Sequence, residues 1–491
     1  MTKAYLVGGG IASLAAAVYL LRDGAMPGSN ITIFEESRDV GGSLDGRGSA
    51  EAGYVIRGGR MFNLEAYTCT YDLLSSVPSL GDAGRTVRDE IRDFNARIKT
   101  HSRCRLVERR QKIDASALGL RNRDRLDLLA TLVRPEATLE GLEIRDCFAP
   151  SFFESNFWLM WCSMFAFQPW HSAAELKRYL HRFLHEFSRL HTLGGVDRTP
   201  YNQYDSIVAP LLKLLRERGV RFASGVRVTD FDFKWTRLGK TVERLRTLVD
   251  GRPGVVEVAD NDHVIVTLGS MTSGSRLGSM TAPAALADKH ADGAWALWEA
   301  LAQHGPEFGR PAAFADHIEQ SKWLSFTVTF RDPTFFQRMQ AFTGNEAGTG
   351  GLVTFADSNW LLSVVLAHQP HFLDQPPGVN VCWGYGLFPD DVGDYVAKKM
   401  ADCTGEDLLT ELCLHLGFER ELPRVLATST CIPCMMPFIT SQFLPRRKGD
   451  RPAVRPKGTT NLALVGQFCE LPDDVVFTVK VLYTAAKTLL R

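Results

Sequence analysis

The chain has 491 residues, enough for two or three domains that each bury a core of their own. Lysine plus arginine and aspartate plus glutamate each number 56, which argues against binding to nucleic acid or anionic surfaces through bulk charge. No apolar run reaches about 18 residues, so the sequence predicts no helix that spans a membrane. The ten cysteines lack the paired spacing of a metal site, and we expect buried, reduced thiols.

Residues 1–36 carry the pattern of a dinucleotide-binding site. An apolar run at 5–7 predicts a buried parallel strand, three glycines follow, and an Ala/Leu-rich stretch then favours a helix. Gly8 permits the tight turn between strand and helix. Gly10 lets the backbone approach a pyrophosphate, which would bind to the N–H groups at the helix N-terminus.

The start of this helix and the next strand complete the pattern. The helix begins with Ile11, Ala12 and Ser13, and Ser13 is a small substitute for the third glycine of G-x-G-x-x-G. A second strand, predicted at 31–34, ends in Glu35, at the distance typical of a carboxylate that holds a ribose hydroxyl. The alternative is a strand–helix–strand unit that serves only the core.

The apolar stretch at 11–21 could also be the core of a secretory signal peptide. Polar residues follow it, namely Arg22, Asp23 and then Gly24, and there is no small-residue cleavage pattern. We therefore interpret the stretch as the helix of the nucleotide site and expect a cytoplasmic protein.

Two further glycine pairs stand close to this site. They belong to the segments Gly41, Gly42, Ser43 and Arg57, Gly58, Gly59, Arg60. Such pairs predict loops in which the backbone passes against a cofactor. The arginines of the second segment could bind a phosphate or a carboxylate, and surface arginines beside a turn are the alternative interpretation.

The middle of the chain contains a charged stretch and then an aromatic one. Residues 80–145 are charged and irregular, which predicts a loop and helical excursion with a solvated face. An aromatic block at 155–170 then precedes a helix predicted at about 172–191, and Tyr179 lies on its apolar stripe. From its position on this stripe alone, Tyr179 is interpreted as a tyrosine of the hydrophobic core.

The histidines of this helix do not predict a metal site. A zinc-binding H-E-x-x-H pattern places its second histidine in the next helical turn, on the same face as the first. The corresponding residues here are His185, Glu186 and His191, in which the second histidine comes too late. We predict no bound metal.

Later strands return to the nucleotide domain. A helix predicted at 207–218 leads to strands at 220–222 and 226–231. If the chain here returns to the parallel sheet, Val228 would lie beside the adenine ring of the dinucleotide. A buried strand at 264–270 ends in a glycine turn with Ser270. Another apolar strand at 461–468 contains Gly466 and Gln467, and a helix predicted at 477–490 follows.

These segments predict an α/β protein. A last strand, glycine and helix against the first glycine loop is how flavoproteins of this architecture cover FAD. We predict a discontinuous Rossmann-like FAD-binding domain at 1–100, 205–290 and 455–491. A mainly helical insertion at 101–204 carries Tyr179, and an α+β substrate domain occupies 291–454.

Blocks along the whole chain carry a resemblance to one family. The blocks are residues 7–17, 41–46, 57–60, 156–158, 164–167, 179–183, 201–204, 357–360, 369–372, 437–443 and 466–468. In this order they resemble the oleate hydratases, the FAD-binding fatty-acid hydratases once called myosin-cross-reactive antigens. The resemblance implies addition of water to the cis-9 double bond of an unsaturated fatty acid, oleate giving 10-hydroxystearate, without net redox.

The resemblance also implies roles for single residues. The family tyrosine that matches Tyr179 protonates the alkene, and a glutamate directly after Arg-Gly-Gly-Arg activates the water. FAD shapes the site. Gln203 and His371 match residues that hold the substrate carboxylate. A tyrosine on a buried aromatic stripe suits proton transfer to an alkene, which needs a positioned acid in a dry pocket.

This chain departs from the family at three places. Met61 stands where the family has its glutamate, and a thioether cannot accept a proton from water. Before the matched Gln-Pro-His-Phe block, the family usually carries Thr, Asn and Arg, whereas this chain has Val365, Ala367 and His368. The family's terminal extensions, which support dimer and membrane contacts, have no counterpart here. We therefore expect a monomer with at most peripheral membrane contact.

Two other functions are compatible with the sequence. An FAD oxidoreductase of the amine oxidase or carotenoid desaturase type would share the cofactor scaffold, because function resides in the grafted site and not in the fold. An inactive, lipid-binding flavoprotein would explain Met61. Both remain open at this point.

Overall fold

The computed structural model describes residues 2–59, 61–472 and 475. Their helices are α1 (Ile11–Arg22), α2 (Thr68–Leu74), α3 (Val87–Arg97), α4 (Asn122–Val133), α5 (Pro150–Phe153), α6 (Asn156–Phe165), α7 (Ala173–Arg182), α8 (Ala209–Glu217), α9 (Gly293–Gln303), α10 (Ala312–Ala315), α11 (Ile318–Ser321), α12 (Thr334–Thr343), α13 (Gly405–His415) and α14 (Leu422–Thr428). Their strands are β1 (Ala4–Val7), β2 (Ile31–Glu35), β3 (Gly46–Ser49), β4 (Gly53–Ile56), β5 (Leu106–Glu108), β6 (Gln111–Ile113), β7 (Arg221–Ser224), β8 (Val226–Thr236), β9 (Gly239–Val249), β10 (Arg252–Glu257), β11 (His263–Thr267), β12 (Arg276–Leu277), β13 (Trp323–Phe330), β14 (Leu352–Phe355), β15 (Ser363–Leu366), β16 (Asn380–Gly386), β17 (Ser429–Met436) and β18 (Leu462–Val465). None of these helices is long and apolar enough to cross a membrane.

A five-stranded parallel sheet forms the first half of the molecule. Its order is β18-β11-β1-β2-β7, and every neighbouring pair is parallel. The central strands are buried on both faces, which is why they appear in the sequence as continuous apolar runs. The predicted parallel sheet, assembled from strands far apart in the chain, is therefore confirmed.

An eight-stranded sheet forms the second half, in the order β12-β17-β13-β16-β15-β14-β5-β6. The strand predicted at 323–330 is β13, which pairs antiparallel with β16 and β17. The hairpin β3-β4 packs on this sheet, because backbone N–H groups of Tyr54 and Ile56 donate to the side chains of Thr329 and Thr327. The hairpin thereby links the glycine loops to the second sheet.

The structure differs from the prediction after α8. Residues 220–222 do lead into the parallel sheet, as β7. Residues 226–231 belong to β8, which does not join this sheet. Gly225, with a φ of +75°, turns the chain, and β8 joins β9 and β10 in a separate antiparallel sheet. Val228 consequently belongs to that sheet. The strands of this hairpin hydrogen-bond with each other, while buried side chains such as Phe231 and Leu245 pack in the same core as the parallel sheet.

Two helical predictions also need correction. The helix predicted at 172–191 is shorter, since α7 ends at Arg182 and a 3-10 segment, Leu184–Arg189, follows the irregular Phe183. The excursion at 80–145 contains β5 and β6, which form one edge of the eight-stranded sheet. The domain boundaries themselves stay predictions. Arg60 and the closing helix predicted at 477–490 lie outside the described residues.

Candidate functional site

One cavity of about 1080 Å³ extends between the two large sheets. Its nucleotide end is lined by the segments around Gly8, Gly42, Ser270 and Gly466. We call the other part the apolar chamber, which is lined by Phe165, Phe183, Leu190, Leu352, Val365 and Trp383. Gly59 connects the two parts, because a Cβ at this glycine would lie 3.8 Å from the ring of Trp383.

The nucleotide end collects the carboxyl ends of four parallel strands, β1, β2, β11 and β18. Of the residues predicted to bind the cofactor, those that line the cavity are Gly8, Gly10, Ile11, Ala12, Glu35, Gly42, Ser43, Arg57, Gly58, Gly59, Val228, Ser270, Gly466 and Gln467. Ser13 does not line it, and its hydroxyl lies 3.2 Å from that of Thr267. Ligands of open α/β sheets bind at this edge. The individual roles of these residues stay predictions.

The glycine loops are packed directly on each other. Gly8 has a φ of +93°, and the backbone of Gly10 forms a bridge with that of Gly41. A Cβ at Gly42 would lie 2.9 Å from the Cα of Gly10, so only glycine fits there. Gly10 precedes α1 without a side-chain cap, and the first turn of α1 carries no acidic residue. The N–H groups of this turn are therefore available to an anion.

Charged side chains brace the nucleotide end. The carboxylate of Glu35 accepts the N–H of Gly9 at 2.6 Å and that of Ser37 at 2.8 Å, so it stabilises the loop from the end of β2. Arg57 pairs with Asp45 at 2.7 Å and donates to the carbonyl of Gly42 at 2.6 Å. Arg57 thus ties the second glycine segment to the first.

Tyr179 lies behind the wall of the apolar chamber. Its side chain is fully buried, and its ring packs on three phenylalanines that line the chamber. The ring centroids are 5.3 Å from Phe165, 6.1 Å from Phe183 and 5.5 Å from Phe443. Tyr179 itself does not line the cavity. It is separated from the chamber by one layer of aromatic rings.

Met61 lines the cavity but carries no carboxylate. The carboxylate of the apolar chamber belongs to Glu186, on a different segment. Glu186, in the 3-10 segment after α7, lines the chamber and is 7% exposed. Its Oε1 accepts the side-chain N–H of Asn63 at 2.6 Å, and Arg189 donates to both of its oxygens at 2.6 and 2.7 Å. Sequence reasoning considered Glu186 only as part of a rejected zinc pattern.

The predicted head-group residues lie together but off the cavity. The backbone N–H of Asn202 donates to the carbonyl of His371 at 2.8 Å, which brings Gln203 and His371 to one place. Neither of them lines the cavity, whereas Val365 does. Burial, aided by the charge of Arg198, lowers the pKa of His371 to about 4, so this imidazole is neutral near pH 7.

Arg198 is the residue of this region that sequence reasoning missed. It lines the apolar chamber, and burial lowers its pKa to about 10. The available signal was its position three residues before the matched block 201–204. Nothing in the local pattern distinguishes it from a surface arginine.

Three other potential metal ligands meet at Asp394, Glu411 and His415, away from the cavity. Glu411 is fully buried, and its carboxylate accepts the backbone N–H groups of three consecutive residues, 394 to 396, at 2.7, 3.0 and 2.8 Å. These hydrogen bonds satisfy the carboxylate and stabilise the loop. We interpret the cluster as structural.

The fold and the site define a class of protein. A structure of an oxidoreductase from Methanosarcina mazei superimposes with a TM-score of 0.56 at 13% identity, covering 100% of both chains. A triple mutant of putrescine oxidase superimposes with a TM-score of 0.54 at 14% identity, covering 99% of this chain and 98% of that one. With the parallel sheet and glycine loops, this similarity shows a Rossmann-like FAD-binding fold and confirms the predicted fold class.

Sequence comparison shows the family. The model of the MCRA family matches residues 1–489, and the chain belongs to this family. It is 37% identical over 487 residues to an oleate hydratase of Streptococcus pyogenes serotype M49 (strain NZ131), covering 97% of this chain and 82% of the relative. It is 34% identical over 522 residues to a linoleate hydratase of Lactiplantibacillus plantarum, covering 97% of this chain and 91% of the relative. The predicted family is confirmed.

Proposed function

We propose that this protein is a hydro-lyase that adds water to the cis double bond of an unsaturated fatty acid such as oleate. One observation carries the proposal. A single cavity joins a dinucleotide-type glycine loop to a chamber with apolar walls, in a chain whose relatives are named oleate hydratase and linoleate hydratase. A chamber of this kind suits a long acyl chain, because apolar walls favour transfer of the chain from water.

We infer that the cofactor is FAD. The uncapped N-terminus of α1 and the close contact of Gly10 with Gly42 fit a pyrophosphate, and Glu35 at the end of β2 would hold a ribose hydroxyl. Arg57, Gly58 and Gly59 would then follow the cofactor toward the chamber. Bound there, FAD would supply shape and charge at the border of the chamber.

We infer that Tyr179 donates the proton to the alkene. Its burial among aromatic rings provides the dry surroundings in which a phenol can protonate an isolated double bond. A shift of the intervening rings, Phe165 and Phe183, would open the route to the chamber. The aromatic faces would also stabilise developing positive charge on the substrate.

We infer that Glu186 orients the attacking water in place of the missing family glutamate. Met61 offers no proton acceptor, and the other described carboxylates of the cavity wall lie on segments of the nucleotide end: Glu35, Glu36, Asp39, Asp45 and Asp292. The Oε2 of Glu186 accepts only the Nε of Arg189 among the described residues, so it keeps a lone pair for water. Asn63 and Arg189 hold the carboxylate in one orientation.

Isotope labelling tests the reaction. In oxygen-18 water, the hydroxyl group of the product from oleate should carry the label, and in heavy water the product should gain one carbon-bound deuterium. Flavin reduced beforehand should sustain turnover without an electron acceptor, because hydration has no net redox. Stoichiometric oxygen consumption with peroxide and a desaturated product would instead identify an oxidase. The cytoplasmic location and the monomeric state stay predictions, and light scattering of the FAD-loaded protein tests the latter.

A further inference from the structure

Arg198 is half-buried and places a cation, whose Nε and Nη2 atoms are buried, at the wall of the apolar chamber. Its guanidinium lies against the start of β14, where a Cβ at Gly351 would be 3.0 Å from Nη2. Leu352, the next residue, is the cross-strand neighbour of Val365 on β15. Leu193 forms the other side, since its Cδ1 would be 2.5 Å from the same Cβ position at Gly351. Leu193 and Leu352 therefore form an apolar side of the cation's surroundings, and its charge also acts on the nearby His371.

The guanidinium lacks a counter-ion among the described residues. Its Nε and Nη2 are buried and donate to no described residue, and no described carboxylate forms an ion pair with it. Burying a charge without a partner costs several kcal/mol in general. Such a group persists when a ligand supplies the missing charge. The other described arginines of the cavity wall, Arg47, Arg57, Arg189 and Arg227, all pair with a carboxylate.

The backbone of Arg198 is held independently of its side chain. Its N–H donates to the side-chain oxygen of Asn95 at 2.9 Å, and its carbonyl accepts from the same amide at 2.8 Å. The preceding residue, Asp197, exchanges two backbone hydrogen bonds with Phe62. The segment would therefore keep its path without the guanidinium, which argues against a purely structural role for this side chain.

We propose that Arg198 binds the carboxylate of the fatty acid and so sets the depth to which the acyl chain enters the chamber. The inference rests on the proposed function for the identity of the ligand. A guanidinium presents two parallel N–H groups that match the two oxygens of a carboxylate. The positions at which the family usually has Thr, Asn and Arg carry Val365, Ala367 and His368 here, and Val365 pairs with Leu352, the residue after the Gly351 that contacts Arg198.

Substitutions and two ligands test this binding mode. Oleate carries the carboxylate, and oleyl alcohol has the same chain without the charge. Arg198→Met should weaken equilibrium binding of oleate to the FAD-loaded protein by about 10- to 100-fold, the range of a lost charge-assisted hydrogen bond. Binding of oleyl alcohol should change less than about threefold. Arg198→Lys keeps the charge but loses the two parallel N–H groups of the guanidinium, so oleate should bind with intermediate affinity.

Arg97→Gln is the matched control. Arg97 is an exposed residue of α3 outside the cavity wall, and its charge contributes to the lowered pKa of the neighbouring His368. Its removal should leave oleate binding within about twofold of the wild type. If Arg97→Gln weakened oleate as much as Arg198→Met does, a general electrostatic effect would replace the proposed contact.

Binding and turnover separate the two proposals. The role of Arg198 would be overturned if Arg198→Lys and a folded Arg198→Met both bound oleate as tightly as the wild type does. This outcome would count against Arg198 whether or not the protein hydrates oleate. If Arg198→Met does not fold, a wild-type affinity in Arg198→Lys alone would overturn it. Discrimination of oleate from oleyl alcohol that depends on Arg198, without any hydration, would support this inference and contradict the proposed function.

Discussion

Phe62 and Asp197 exchange both of their backbone hydrogen bonds, with N···O distances of 2.9 and 2.8 Å. This pairing places Met61 on one segment next to Arg198 on the other. Asn63, on the first segment, contacts the carboxylate of Glu186. The residues that we connect with water and with the substrate carboxylate are therefore held by one short backbone bridge.

Gly10→Leu should abolish FAD binding. A Cβ at Gly10 would lie 3.9 Å from the Cα of Gly42, so the loops tolerate it, but a longer side chain would fill the space for the pyrophosphate. The flavin absorbance per protein after reconstitution measures the effect. Gly81→Leu, in an exposed loop where the nearest atom to the Cβ position is the Ser79 hydroxyl at 4.0 Å, is the control and should keep full occupancy. Full flavin occupancy in Gly10→Leu would move the cofactor site elsewhere.

Tyr179→Phe should lower hydration by about 100-fold or more while the fold and the flavin are retained. The change removes one oxygen from an aromatic cluster with Phe165 and Phe443, so packing is preserved. Product formation from oleate and thermal unfolding are measured in parallel. Tyr395→Phe, at an exposed tyrosine, should leave both unchanged. Hydration near the wild-type rate would remove Tyr179 from the mechanism.

Glu186→Gln should lower turnover by about 100-fold, because the amide cannot accept the proton of water. Glu65→Gln is the matched control, since Glu65 contacts the same His185 but is exposed. Affinity for oleate should remain near the wild-type value in both variants. An active Glu186→Gln protein would show that another group, such as Asn63, orients the water.

Met61→Glu should raise turnover if the chamber keeps the family's geometry, because a second carboxylate would then face the water. Met61→Gln has a similar size without the charge and should not raise it. The new carboxylate costs free energy of folding unless it finds donors, so the free energy of unfolding is measured together with the rate. A stable, flavin-loaded Met61→Glu protein with unchanged turnover would favour the route through Glu186.

Acid should destabilise the protein through His171. This side chain is fully buried, its Nδ1 accepts the N–H of Gln168 at 2.9 Å, and burial lowers its pKa to about 3. The unfolded chain, with an ordinary histidine pKa of about 6.5, binds a proton that the folded protein does not. The free energy of unfolding should therefore fall as the pH drops below about 6.5, by up to about 1.4 kcal/mol per pH unit from this histidine.

Chemical denaturation between about pH 7 and pH 5 measures this slope. His171→Gln should flatten it, since the titrating group is gone, whereas His101→Gln, at an exposed histidine, should leave it unchanged. An identical slope in His171→Gln and the wild type would assign the acid sensitivity to other groups. His371, whose pKa burial lowers to about 4, is the next candidate.

Local patterns were sufficient for the parallel sheet and its glycine loop. The runs that predicted strands at 31–34 and 323–330 correspond to β2 and β13, because buried strands are rich in apolar and β-branched residues. The glycine loops were also predictable, since a φ of +93° at Gly8 requires glycine. These features depend on residues that are neighbours in the chain.

Other features depend on distant parts of the chain and have no local signal. Two guanidinium nitrogens of Arg198 are buried in a region where Gly351 and Leu193 pack closely, and Glu186 lines the chamber beside an asparagine from a different segment. The sequence pattern likewise did not predict that β8 leaves the parallel sheet or that Tyr179 lies behind a layer of rings. The amino-acid order thus specifies which backbone can form a strand or a tight turn. Long-range packing specifies which charges lose their water, and those charges carry the chemistry that we propose.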